Sequence, residues 1–179
     1  MKPNEIKEKI TNGALKEYAS LYSDLAAAAD RINGAIDKFV ALYGGERDIS
    51  IFSVPGRSEI SGNHTDHNNG CVLAGSIDRD VIAVAATNED NVVRLYSEGY
   101  AEERVDLSDV DEPENFKKFT SGALIAGVCR RFSDLGYKVG GYDAYLTSAV
   151  PEGSGISSSA AYEVMLGNLL NHLYNRILP

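Results

Sequence analysis

The residues best suited to chemistry in this chain lie in one short segment, PEGSGISSSAAYE, at positions 151–163. Gly153 and Gly155 carry no Cβ, so the backbone there can approach a ligand closely. Serines 157–159 place three hydroxyl groups where an apolar helical run begins, and the N–H groups at a helix N-terminus favour a bound phosphate. A single serine would satisfy an ordinary helix cap. Three serines behind two spaced glycines therefore favour an anion-binding segment.

Two other active-site motifs do not account for this segment. A Walker loop needs a lysine directly after its second glycine to reach the β- and γ-phosphates, and here Ile156 follows Gly155. The G-x-S-x-G spacing of a nucleophile elbow does not occur around these serines.

Two stretches of the sequence resemble the GHMP small-molecule kinases. Residues 151–161, PEGSGISSSAA, are similar to the nucleotide loop PxGxGLSSSAA of these kinases, with Ile156 in place of leucine. Residues 54–70, VPGRSEISGNHTDHNNG, are similar to the galactokinase signature, roughly PGRVNLIGEHTDYNxG. Because the two motifs occur together and in the family's order, the chain is identified as the N-terminal part of a galactokinase-family protein.

The resemblance implies a site for ATP and Mg²⁺. By their match to the nucleotide loop, the residues that would wrap the β- and γ-phosphates are Gly153, Ser154, Gly155, Ile156, Ser157, Ser158, Ser159 and Ala160. Ser158, at the centre of the serine triplet, is the predicted hydroxyl beside Mg²⁺. A lone arginine such as Arg57 usually forms only a surface salt bridge. Its match to the motif arginine implies instead a catalytic cation that stabilises charge on the transferred phosphoryl group.

The segment NHTDH at 63–67 is the predicted sugar site. The resemblance implies that Asn63, His64 and Asp66 contact sugar hydroxyls. Asn63 replaces the family's glutamate, which exchanges a charged acceptor for an amide that also donates, and His67 replaces tyrosine. A metal site built from His64, Asp66 and His67 is the weaker interpretation, because a dedicated zinc site needs further ligands and only His172 remains elsewhere.

The activity implied by the resemblance is ATP-dependent phosphorylation of galactose, or a similar hexose, at its anomeric hydroxyl. In galactokinases an aspartate that faces this hydroxyl and a glutamate that helps to hold Mg²⁺ lie further along the chain, and this sequence ends at Pro179. We therefore expect a truncated kinase that is a poor catalyst alone. Two alternatives stay open: a non-catalytic sensor of sugar or nucleotide, and a GHMP kinase for another sugar or polyol.

The charge balance disfavours a nucleic-acid partner. Asp and Glu total 26 against 17 Lys and Arg, and the basic residues form no run that could bind a phosphate backbone. The charged N-terminus lacks the apolar core of a signal peptide, and no apolar run approaches the ~20 residues needed to cross a bilayer, which predicts a cytoplasmic protein without a membrane partner. Cys71 and Cys129 stand in apolar surroundings and are predicted to be reduced core residues.

The elements that must position these residues follow from apolar spacing. Helices are predicted in two pieces over 3–43, with an apolar stripe that includes Tyr18 and Leu21, a break at Asn33-Gly34 and an end at Gly44-Gly45. A further helix is predicted over 114–135, with Phe119 on its inner side and Gly136 as its end, and another from Ser157 onward. Strands are predicted at 49–54, 71–75, 81–87, 92–97, 103–107 and 142–150, with a hairpin turn at 88–91. The continuous apolar run at 81–87 predicts a strand that is buried on both faces. A Pro55-Gly56 turn is expected to end the first strand and to deliver Arg57.

Elements of this kind predict an α+β domain with a mixed or antiparallel sheet packed with helices. The family resemblance implies a GHMP kinase N-terminal domain of the ribosomal-protein-S5-like type at 49–179. A helical segment at 1–48 would pack against it, and the C-terminal GHMP domain would be absent.

Overall fold

The structure is a computed structural model that describes residues 1–62, 69–150 and 158–177. Within these ranges a five-stranded sheet lies between two layers of helix. The helices are α1 (Pro3–Thr11), α2 (Leu25–Tyr43), α3 (Ser121–Asp134) and α4 (Ser158–Leu170), and the strands are β1 (Ser50–Ser61), β2 (Leu73–Thr87), β3 (Val92–Ser97), β4 (Glu102–Asp106) and β5 (Tyr142–Ser148). Short 3₁₀ turns cover Ala14–Tyr18 and Pro113–Asn115, and a π-helical turn, Asn171–Asn175, follows α4.

The sheet has the strand order β1-β2-β5-β3-β4, so the last strand in sequence is the central one. β5 runs antiparallel to β2, with Ser148 opposite Val81, and parallel to β3, with Tyr142 opposite Val93. The β1–β2 and β3–β4 pairs are antiparallel. This mixed sheet, packed with helices, confirms the predicted α+β class.

The second half of β2 is apolar without interruption because helices cover both faces of the sheet. From Val81 to Ala86, alternate side chains join two different cores, one with α3 and α4 and the other with α1 and α2. Successive side chains of a strand point to opposite faces, so a strand covered on both sides must be apolar at every position. The prediction of a buried strand here is confirmed, since all six residues are at most 5% exposed.

Local signals set the two ends of α2. The carboxylate of Asp24 accepts hydrogen bonds from the N–H groups of Ala26 and Ala27 at 2.9 and 3.0 Å, and Gly44, with φ of +85°, ends the helix as predicted. The predicted break at Asn33-Gly34 is wrong. A glycine inside a helix costs only about 1 kcal/mol, and the buried face of α2 against the sheet outweighs that cost.

The first predicted helix is shorter than its apolar stripe indicated. It ends at Thr11, because Gly13 adopts a left-handed φ of +89°. Tyr18 and Leu21, which continued the stripe, are exposed rather than part of the core. Helical spacing of aromatic residues therefore overestimated the core of this region.

The predicted turn at Pro55-Gly56 is wrong. β1 continues through both residues to Ser61, with an irregular register between Pro55 and Arg57. Residues 71–75 and 81–87, predicted as two strands, lie mostly within the single strand β2. Residues 88–91 do not form a hairpin turn, since β5 separates β2 from β3.

The helix predicted over 114–135 begins only at Ser121. The side chain of Thr120 caps it by accepting a hydrogen bond from the N–H of Ala123 at 3.3 Å. Phe119, which the spacing placed on the inner face, precedes this cap and is fully exposed. Gly136, the predicted end signal, has a φ of +79° directly after Leu135, the C-cap of the helix.

The two cysteines have different environments. Cys129 is buried on α3, and burial raises the pKa of its thiol to about 12. The prediction that Cys71 is a core residue is wrong, because Cys71 is exposed together with Val72 and Leu73, at an end of the β1–β2 pair that neither helix layer covers.

Among the helices of the described ranges, none has the length and apolar character that crossing a bilayer requires.

Candidate functional site

Arg57 lies inside β1, opposite Ser76 of β2 and directly after the irregular register at Pro55. Pro55 has no N–H to donate to the strand pairing, and irregularities of this kind bend a strand and re-aim its side chains. Nη1 of Arg57 donates to Oε1 of Glu59 at 2.8 Å. The Arg57 side chain is 45% exposed, so its guanidinium group is both oriented by a partner and accessible to a ligand.

Glu59 is a site residue that the motif comparison did not bring out. Residues two apart in a strand lie on the same face, so Arg57 and Glu59 could have been paired from the sequence once both were known to belong to one strand. The assumed turn at Pro55-Gly56 hid this relation.

The predicted sugar-binding residues Asn63, His64 and Asp66 lie outside the described residues, as does His67. The chain on either side of them is described. A Cβ on Gly62, whose φ is +93°, would lie 2.4 Å from the carbonyl oxygen of Cys71 and 2.8 Å from Cα of Val72. Gly62 and Cys71, which stand on either side of positions 63–68 in the sequence, are therefore in contact at the end of the β1–β2 pair toward which β1 runs from Arg57.

Of the predicted phosphate-binding residues, Gly153 to Ser157 also lie outside the described residues. The backbone of Ser158 begins α4, but its side chain is not described. Ser159 and Ala160 are exposed in the first turn of that helix, as expected of residues whose N–H groups face a ligand. The prediction of a helix start directly behind the glycine-containing segment is thus confirmed.

The direction of α4 brings its N-terminus toward Arg57. After the C-terminal end of α4, Nε2 of His172 lies 3.1 Å from Oγ of Ser50, and its ring meets the edge of Phe52, near the start of β1. A 13-residue helix spans about 20 Å. Ser159, in the first turn of α4, lines one cavity with Val81, which pairs with Val54 of β1, so the helix runs from that part of the strand back toward its start. The N-terminus of α4 is therefore the end nearer to Arg57.

A cavity of about 500 Å³ opens beside the start of α4. It lies between the ends of β3 and β5 and the first turns of α3 and α4. Its apolar wall is formed by Val81, Leu124, Leu146 and Val150. Sequence reasoning assigned no ligand to these residues, since β3, β5 and α3 meet only in the folded chain.

The polar lining of this cavity combines two carboxylates, Glu98 and Glu103, with a larger number of hydroxyl groups. Glu98 accepts a hydrogen bond from Thr147 Oγ1 at 2.5 Å, and Glu103 lies close to the first turn of α3. Tyr162 of α4 also lines the cavity, and its pKa is raised by burial and then by the charge of Glu103. Ser159 connects the cavity to the predicted phosphate segment. A ligand here would meet apolar faces, carboxylate acceptors and a helix N-terminus.

A buried carboxylate lies on the opposite face of the sheet from α4, where α2 packs. Asp80 of β2 is 5% exposed and lies opposite Pro55 of β1. Its Oδ1 accepts from Arg31 Nη1 at 2.8 Å, and its Oδ2 lies 2.7 Å from Ser53 Oγ and 3.0 Å from the Tyr22 hydroxyl. Burial is the main cause of a raised pKa at Tyr22. An aspartate directly before an apolar strand was the sequence signal for this cluster, but its partners come from distant elements.

Within the part of the chain that the structure describes, no three His, Cys, Asp or Glu side chains converge in a way that could hold a metal ion. The described residues therefore supply no Mg²⁺ ligand set. The assignment of Ser158 to Mg²⁺ stays a prediction.

Comparisons with known proteins agree with this geometry. Residues 37–87 match the galactokinase galactose-binding signature, and residues 123–179 match the GHMP kinases N terminal domain. Mevalonate kinase from Methanococcus jannaschii has the same fold, with a TM-score of 0.60 at 17% identity over 74% of this chain and 42% of that one. Fold and sequence together define a GHMP kinase N-terminal domain.

Two galactokinases are more similar. The galactokinase of Streptomyces coelicolor is 35% identical over 139 residues, which cover 77% of this chain and 35% of that protein. The crystal structure of Lactococcus lactis galactokinase complexed with galactose superposes with a TM-score of 0.72 at 30% identity, over 80% of this chain and 37% of that one. The chain belongs to the galactokinase family. It spans a little over a third of the length of these relatives.

Proposed function

We propose that this chain provides the sugar- and phosphate-binding part of an ATP-dependent sugar kinase that phosphorylates galactose, or a similar hexose, at the anomeric hydroxyl. The observation that carries the proposal is the convergence of two motif regions at one end of the fold. Arg57 and the ends of segment 63–68 lie there on the β1–β2 pair, and the N-terminus of α4 is directed toward them. A galactose-bound relative with the same fold supports the choice of sugar.

The proposed roles follow from charge and position. Phosphoryl transfer depends mainly on positioning and on stabilising negative charge, with little covalent help from the protein. The segment 153–160 would hold the ATP phosphates with backbone N–H groups and the positive end of the α4 dipole. Arg57 would stabilise charge on the transferred group, with Glu59 orienting its guanidinium. Asn63, His64 and Asp66 would bind the sugar hydroxyls. Mg²⁺, when bound, would supply further positive charge to the phosphates.

The cavity beside α4 is suited to the adenosine part of ATP. Its volume of about 500 Å³ lies within the range of small-molecule sites. The apolar wall can pack against a base, while Glu98 and Glu103 offer acceptors for ribose hydroxyls or an exocyclic amino group. Ser159, in the first turn of α4, lines the mouth of the cavity, so the phosphates would lie there, next to the helix N-terminus.

The test is sugar-dependent formation of ADP by the full-length protein that contains this chain, measured with galactose and a panel of other hexoses. Arg57→Ala should lower kcat by about 100-fold or more, as loss of one preorganised charge-stabilising group does in other enzymes. Arg79→Ala, at an exposed arginine of the neighbouring strand β2, is the matched control and should leave kcat within twofold. Unchanged turnover in Arg57→Ala would remove the catalytic role of Arg57.

A sensor function is the second candidate. Its support is Asn63, which stands where the family motif has glutamate. In the full-length protein, a sensor would bind galactose or ATP in calorimetry without forming ADP, whereas measurable sugar-dependent turnover would exclude it.

A further inference from the structure

The side chain of Asp80 ties together three elements around the candidate site. Ser53 belongs to β1, Arg31 to α2, and Tyr22 to the connection that precedes α2. Tyr22 OH also lies 3.1 Å from Ser53 Oγ, so the two hydroxyls and the carboxylate form one closed group. Each of these contacts joins residues far apart in sequence, and the carboxylate is almost inaccessible to solvent.

The backbone of Asp80 adds a fourth element. Its carbonyl oxygen accepts a hydrogen bond from the N–H of Ala149 at 2.8 Å. Ala149 directly follows β5 and stands two residues before the predicted phosphate segment. One residue therefore fixes both the strand that carries Arg57 and the point from which the phosphate segment leaves the sheet.

The pairing of β1 with β2 is irregular close to this cluster. Pro55, opposite Asp80, cannot donate a ladder hydrogen bond, and the register is irregular between Pro55 and Arg57. The hydroxyl of Ser53, two residues before Pro55, bonds across to Asp80 and so links β1 and β2 through side chains just ahead of this irregularity. The position of Arg57 relative to the sheet depends on that link.

We infer that Asp80 is a positioning residue, which sets the placement of Arg57 and of the phosphate segment relative to each other without contacting the ligand. This inference rests on the proposed function. Asp143 of β5 offers a control, because it is also buried and also paired with arginine, yet it lies at the opposite end of the sheet.

The experiment compares ATP binding by wild type, Asp80→Asn and Asp143→Asn in calorimetry, at a temperature where urea titrations show every variant to be folded. Both substitutions should lower stability, but only Asp80→Asn should weaken ATP binding, by about tenfold, because small displacements of positioned groups have large effects. Ser53→Ala is a milder second variant, which keeps the Asp80–Arg31 pair and should weaken binding about fivefold, as expected for one hydrogen bond.

A second readout does not depend on ligand binding. Hydrogen exchange at the Ala149 amide should become about tenfold faster in Asp80→Asn and stay unchanged in Asp143→Asn. Equal weakening of ATP binding in both variants, or no weakening in Asp80→Asn, would overturn the positioning role. If wild type binds neither ATP nor galactose, the proposed function fails. The exchange rate at Ala149 then decides whether Asp80 fixes this segment, and an unchanged rate in Asp80→Asn overturns the inference.

Discussion

Asp80 and Asp143 are two buried carboxylates on the same face of the sheet, at opposite ends of α2. Asp80 pairs with Arg31 inside α2, and Asp143 pairs with Arg47, four residues after Tyr43 ends that helix. Both side chains are at most 7% exposed. Burying a carboxylate is costly unless it is paired and hydrogen-bonded, so the two ends of α2 pose the same electrostatic problem.

Different hydrogen-bond donors satisfy the buried carboxylate at each end of α2. Asp143 accepts from two guanidinium groups, those of Arg47 at 2.6 Å and Arg94 at 3.0 Å, and from the Asn88 amide at 2.9 Å. Asp80 has one guanidinium partner and two hydroxyl partners. The end remote from the site is thus held by charge. The end beside the site is held partly by neutral donors, and one of them comes from the strand that carries Arg57.

The largest expected difference is in stability. Asp143→Ala leaves two cations facing a buried gap, and removing one partner of a buried ion pair costs about 3–5 kcal/mol. Asp80→Ala leaves only one cation, so its cost should fall at or below the lower end of that range. Urea denaturation followed by circular dichroism measures both values. A larger loss for Asp80→Ala would show that the hydroxyl partners, rather than charge, dominate the energetics.

Packing around the remote end gives a smaller effect. A Cβ on Gly141 would lie 2.2 Å from Oδ1 of Asn88 and 2.8 Å from the backbone nitrogen of Val92. Gly141→Ala should therefore displace Asn88 from Asp143 and cost about 2 kcal/mol, in the usual range for a forced repacking. Gly75→Ala is the control in β2, near the Arg57 end, because a Cβ there meets nothing within 4 Å. It should be neutral or slightly stabilising. Similar losses in both variants would contradict the assignment of tight packing to the remote end alone.

The smallest effect concerns two exposed carboxylates, one near each end. Hydrogen bonds from Ser23 lower the pKa of Asp78, and pairing with Arg94 lowers the pKa of Asp90, both from 3.8. A lowered folded-state pKa gives stability that is present above the unfolded value of 3.8 and is lost as the pH falls through the folded value.

Salt should separate the two carboxylates, because ionic contacts are screened more strongly than hydrogen bonds from neutral groups. In about 0.5 M NaCl, the pKa of Asp90 should move back toward its ordinary value more than the pKa of Asp78 does. NMR titration of the side-chain carboxyl carbons measures both. Equal responses to salt would indicate that the lowered pKa of Asp78 also comes from ionic contacts. The two ends would then not differ in how their exposed carboxylates are stabilised.

The sequence predicted those parts of the fold in which a local pattern matches its surroundings. The buried half of β2, the glycine end of α2 and the start of α4 all follow from short-range signals that tertiary structure did not oppose. Pro55-Gly56 is the opposite case. Its turn propensity is overridden because β2 continues alongside and pairs with β1 on both sides of the irregularity.

The candidate site was only partly predictable for a related reason. Motif resemblance named Arg57 and the serine segment, because their spacing is local. Motif resemblance did not identify Glu59 as the partner of Arg57, because the turn predicted at Pro55-Gly56 gave no reason to place both residues in one strand. The partners of Asp80, at 22, 31 and 53, and those of Asp143, at 47, 88 and 94, come together only through the order of the strands.

That strand order also has a consequence for how the chain acquires its structure. The β1–β2 and β3–β4 pairs can each form as soon as their own residues are available, but neither has a neighbour until β5 is made and inserted between them. Until then two sheet edges with unsatisfied N–H and C=O groups stay exposed, and such edges are prone to pair with other chains. During synthesis, the 54 residues that separate Thr87 from Tyr142 therefore mark an interval in which a chaperone would protect this protein most.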